Sequence, residues 1–120
     1  MRLENEKLAA FISEEVQKAG IATNVLGYKY ITCAVYFILN DATLMHKIIV
    51  LYHKIADHYS ATYAGVEHSI RHAISSAYNF RPDAMKTVMD DTYQPKNSEF
   101  ICTITEKIRI QMIKEDLNLL

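Results

Sequence analysis

The chain is 120 residues long, half of them apolar, with 13 basic and 14 acidic side chains and a formal charge of −1. That is enough apolar material for one domain around a single core, without disulfide or metal staples. The stretch from Met1 to Lys7 is charged and lacks the basic-then-apolar pattern of a secretory signal, and the strongly apolar run Cys33 to Leu39 is too short to cross a bilayer, so a soluble cytoplasmic protein with no membrane partner is expected.

Taken in order, Leu3 to Ala19 reads as an amphipathic helix. Leu8, Phe11, Ile12, Val16 and Ala19 lie on one side, Glu4, Lys7, Glu14, Glu15 and Lys18 on the other, and Gly20 is placed to stop it. A second helix is expected from about Asn24 to Asn40. Its body, Tyr30 to Leu39, is apolar on nearly every side, which belongs at the centre of a bundle. Thr43 to Leu51 reads as a third helix running into another at Tyr52–Tyr59. Ser60-Ala61-Thr62 interrupts, and the Thr62 hydroxyl suits an N-cap. The helix that follows, to about Asn79, repeats Val66, Ile70, Ala73, Ile74 and Ala77 at the spacing of one buried stripe.

Beyond it, Arg81-Pro82-Asp83 breaks the chain and a short helix is expected from Asp83 to about Met89. A loop runs from Asp90 to Lys96, then Asn97 or Ser98 caps a last helix with Ile101, Ile104, Ile108 and Met112 inward. After Lys114, the segment EDLNLL either continues that helix or frays. Cys33 and Cys102 sit in apolar helical patterns, which favours buried thiols over a bridge. With no strand-like alternation, repeat or linker, the expected fold is all-α: one compact multi-helix bundle over residues 1–120 containing a helix-turn-helix at about 52–79.

The second helix of that motif carries Glu67, His68, Arg71, His72 and Ser75 opposite its apolar stripe. These groups can exchange hydrogen bonds with base edges and phosphates. Net charge argues against a nucleic-acid binder, but its distribution does not. Between His46 and Arg81 four cations face two acids, and all five histidines lie there, whereas residues 82–120 hold five cations and seven acids. In such a motif the start of the second helix reads bases. The expected DNA-binding residues are therefore Thr62, Tyr63, Ala64, Glu67, His68, Arg71, His72 and Ser75. Lys107 is either a phosphate contact or part of a solvated face. Glu67 and Arg71, four apart, can equally pair with each other. His68 and His72 have a chelating spacing but no further ligand nearby, so no metal is expected. No phosphate-binding glycine loop or nucleophile motif points to an enzyme or a cofactor.

The segment GVEHSIRHAISSAY resembles the recognition helix of the C-terminal effector domain of the stage-zero sporulation response regulator. Gly27-Tyr28-Lys29-Tyr30, Leu51-Tyr52 with Ile55-Ala56, Pro95-Lys96-Asn97-Ser98-Glu99-Phe100-Ile101 and Glu106-Lys107-Ile108-Arg109 match that domain collinearly, covering roughly Ile21 to Gln111. The resemblance implies a transcription regulator that binds short double-stranded DNA sites, often as tandem copies or a dimer on DNA. One departure bears on the target: the family carries arginines where this chain has Gly65 and His68. An imidazole lacks the bidentate fork of a guanidinium, so a different site is read or DNA binding has been lost. In the second case the fold serves as a protein-interaction module. No receiver domain precedes the helices, which fits either a stand-alone protein or an excised domain.

Overall fold

The computed structural model describes residues 6–90 and 93–115. Its α-helices are α1 (Glu6–Lys18), α2 (Leu26–Asn40), α3 (Ile48–Tyr59), α4 (Tyr63–Phe80), α5 (Pro82–Met85) and α6 (Asn97–Lys114), with a 3-10 turn at Ala42–His46. Among the described residues there is no strand, and no helix is long and apolar enough to cross a membrane. The expected helix start at Leu3 and the residues from 116 onward lie outside the described residues.

α2 is the centre, touching α1, α3, α4 and α6. Six consecutive positions illustrate why: Tyr30 to Val35 are all buried, whereas Tyr36, Phe37 and Leu39 are only half-buried. The apolar body Tyr30–Leu39 is thus central as expected, and its burial loosens at its end, where α2 emerges from under its neighbours. Thr32 is tolerated inside because its hydroxyl donates to the Lys29 carbonyl at 2.9 Å. Gly20 ends α1 at a φ of +97°, and its carbonyl accepts from Arg81 Nε at 2.9 Å, tying the end of α1 to the end of α4.

Three local expectations are corrected. Thr43–Leu51 is not one helix. The Asp41 carboxylate accepts from the Thr43 amide and hydroxyl at 3.1 and 2.7 Å, which nucleates a 3-10 turn. Lys47 then leaves helical geometry, and α3 restarts at Ile48. Those hydrogen bonds hold the Asp41 carboxyl below its ordinary range. The short helix expected at Asp83–Met89 closes at Met85, with Pro82 in its first turn and the Thr87 hydroxyl donating to the Ala84 carbonyl at 2.7 Å. The last helix is capped neither by Asn97 nor by Ser98. Lys96 is the N-cap residue, and its amide donates to Glu99 Oε1 at 2.9 Å, so a carboxylate in the first turn does the capping.

Both cysteines are free thiols. Burial pushes Cys33 up to about 12 and raises Cys102, whose Sγ donates to the Met45 carbonyl, so neither is poised as a thiolate.

Candidate nucleic-acid interface

The motif is built as the sequence reading expects, with a longer first helix that begins at Ile48 rather than Tyr52. α3 ends on Ser60, a non-glycine residue at φ 54°, and the Ala61 amide returns to the Ala56 carbonyl at 2.8 Å. Thr62 then caps α4, its Oγ1 accepting from the Gly65 amide at 3.0 Å. The Tyr63 ring sits edge-on to Tyr52 at 5.5 Å and 4.9 Å from the His53 ring, pinning the start of α4 onto α3.

On its inner side α4 buries Val66, Ile70, Ala73, Ile74 and Ala77. The seat is very close: a Cβ on Gly27 of α2 would fall 2.2 Å from the Ser69 carbonyl oxygen and 2.7 Å from Ala73 Cβ. Only glycine lets the two helices approach this far, which fixes the depth and rotation of α4. The outer side follows from that rotation.

Of the expected contact residues, Thr62, Ala64, His68, Arg71 and His72 are exposed, and Tyr63, Glu67 and Ser75 are half-buried. Arg71 and Glu67 are ion-paired at 3.2 Å, with side chains 56% and 32% exposed. The same guanidinium nitrogen lies 3.4 Å from His68 Nδ1. Lys107 is not brought to this face. Its ammonium donates to the Thr87 carbonyl at 3.0 Å, and it lies ten residues, about 15 Å of helix, beyond the start of α6. Among the described residues no three histidine, cysteine, aspartate or glutamate side chains gather as a metal-binding group.

The structure adds residues that the sequence reading left out of the site. The start of α6 faces the middle of α4, leaving an open cleft of about 420 Å³ lined by Tyr52, Glu67, Arg71, Lys96, Asn97 and Ser98, among others. Two cations, Arg71 and Lys96, thus border one cleft beside the first turn of a helix, a setting suited to an anion. Asn97 crosses it, its Nδ2 donating to the Glu67 carbonyl at 3.0 Å. The resemblance already singled out Pro95–Ile101, but nothing in the local pattern pointed to its partner thirty residues earlier.

A capped helix seated by glycine contact, polar and exposed on its outer side and flanked by a second helix start, defines a helix-turn-helix domain of the all-α class. Residues 12–108 match the family model described as Sporulation initiation factor Spo0A C terminal. The chain belongs to that family, the C-terminal effector domain of a sporulation regulator.

Proposed function

We propose that this chain binds double-stranded DNA through the outer side of α4 and acts as a transcription regulator in the cytoplasm of a sporulating cell. The observation that carries the reading is the convergence of the exposed Arg71, His68 and Ala64 with Lys96 at the start of α6 on one side of the motif. In this reading α4 enters the major groove. Ala64 offers a methyl contact to thymine, His68 and Arg71 offer donors to base edges, and Lys96 with the first turn of α6 meets a backbone phosphate. Tandem or dimeric binding on DNA belongs to the same reading.

The Glu67–Arg71 pair does not stand in the way. An exposed pair four residues apart on a helix stabilises by about 0.3–0.5 kcal/mol, whereas a bidentate arginine–guanine contact discriminates by about 1–3 kcal/mol. Released from Arg71, Glu67 can accept from a cytosine amino group.

A second reading has its own support. Gly65 and His68 stand where the resemblance places arginines, and total charge is −1; a protein-interaction module of the same fold accounts for both. Binding of random duplex DNA across a salt series separates the two. The DNA reading predicts an affinity that falls with salt at a log–log slope of about −0.9 per phosphate contacted. An absence of duplex affinity at low salt overturns it in favour of the interaction module.

A further inference from the structure

Asn97 occupies the first turn of α6 yet does not cap it, since Glu99 does. Its side-chain amide is free to leave its own helix. It donates to the Glu67 carbonyl at 3.0 Å, in the cleft that Tyr52 also lines. A primary amide carries two N–H donors, and a helical carbonyl has a lone pair to spare after its intrahelical bond. One side chain therefore joins α4 to α6.

The surroundings of that bond are firm. Tyr52 is only 3% exposed, its ring is packed against Tyr63, and burial pushes its phenol up to about 12. The Glu67 carbonyl belongs to the turn of α4 whose side chains face outward. The apolar stripe and Gly27 set the depth of α4, but they act on its inner side. The link at Asn97 acts beside the cleft, between the reading side chains of α4 and the cation-bearing start of α6. A tilt of about 10° displaces a group about 10 Å from the pivot by about 2 Å, more than a base-edge hydrogen bond tolerates.

We propose that Asn97, bonded to the Glu67 carbonyl, is a positioning residue for DNA reading that sets the angle of α4 against the phosphate-facing start of α6. The proposal rests on the DNA-binding reading and names a residue through which specificity, rather than affinity alone, is set.

The test begins by selecting a preferred duplex from a random pool with the wild-type chain. Affinities for that duplex and for a scrambled one are then measured for wild type, Asn97→Ala and Tyr52→Phe over a salt series. Asn97→Ala is expected to lower the preferred-over-scrambled ratio at least tenfold, with scrambled-duplex affinity and salt slope unchanged, because no charge is removed. Tyr52→Phe keeps the ring and leaves the Asn97–Glu67 bond in place, so its ratio is expected to hold. Should Asn97→Ala fold poorly, Asn97→Asp keeps the size and suits a helix start while abolishing both donors; its ratio is expected to fall likewise. An unchanged ratio in a wild type that does select a site overturns the positioning role alone, as does an equal loss on both duplexes in Asn97→Ala. A wild type that binds no duplex at low salt overturns the DNA reading and this role with it.

Discussion

The two sides of α4 are held by different physics. Inward, α4 buries five apolar side chains and lies against the bare backbone of Gly27 in α2 with no space for a methyl group. Outward, Arg71 is shared between Glu67 and His68 across ion-pair and hydrogen-bond distances in water. Packing that tight has one solution, because a shift of a few tenths of an ångström brings clash or cavity. The outer arrangement is held by an exposed pair worth only about 0.3–0.5 kcal/mol. The lesson is a division of labour: the inner side fixes where the helix is, and the outer side stays cheap to rearrange when a ligand arrives.

The largest expected effect strikes the inner side. Gly27→Ala drives a Cβ into the Ser69 carbonyl and Ala73, and should destabilise the fold by about 3 kcal/mol, the upper end for overpacking. Denaturant unfolding measures it. If the midpoint hardly moves, α4 is not seated by that contact, and the contrast between its sides weakens.

Arg71→Ala acts on the outer side and should do the reverse. Duplex affinity is expected to drop by about 2 kcal/mol, while stability changes by less than about 0.5 kcal/mol, since only an exposed pair is lost. Titration of labelled duplex and a thermal melt on the same sample test both halves. A large stability loss with unchanged binding would assign Arg71 to the fold.

Thr62 stands at the junction of the two sides. Replacing it with alanine leaves the Gly65 amide without its partner and should cost about 1 kcal/mol of stability. Thr62→Ser keeps the oxygen and should recover most of that, as read by the same melts. Ser60 lies two residues earlier, at φ 54°. Ser60→Gly relieves that left-handed conformation and should add about 1 kcal/mol.

The smallest effect lies away from α4. Thr43 holds the Asp41 carboxyl below its ordinary range by hydrogen bonding. Its stabilising contribution is thus complete above the ordinary aspartate range and disappears as pH falls through the lowered value. Acid unfolding of wild type and Asp41→Asn should differ at neutral pH and converge in acid. Curves that run parallel throughout would mean the cap contributes nothing.

How much of this was legible in the sequence follows from the range of each interaction. The stripe of α4, the Thr62 cap, the Gly20 stop and the exposure of His68 and Arg71 are set within a few residues and were readable as spacing. The 3-10 turn at Ala42–His46 was not, because a short polar side chain, Asp41, outweighs the helix propensity downstream of it. Capping of α6 was misassigned because Asn97 is a common cap residue, and only Glu99 bonding back to the Lys96 amide shows that it is not needed as one. The Asn97–Glu67 and Gly27–Ser69 contacts join residues thirty and more positions apart, and no local pattern encodes them. Lys107 was a candidate because it is a cation on an exposed helix; its turn toward Thr87 depends on where α5 ends.

The central claim is that the outer side of α4, with the start of α6, is where DNA is met. It is tested most directly by recording backbone amide NMR shifts of the isotopically labelled chain while duplex DNA is added at low salt. The largest changes should fall on residues 62–72 and 96–98, with α1 and the inner face of α2 nearly still. Changes centred elsewhere, or none at saturating duplex, contradict the claim.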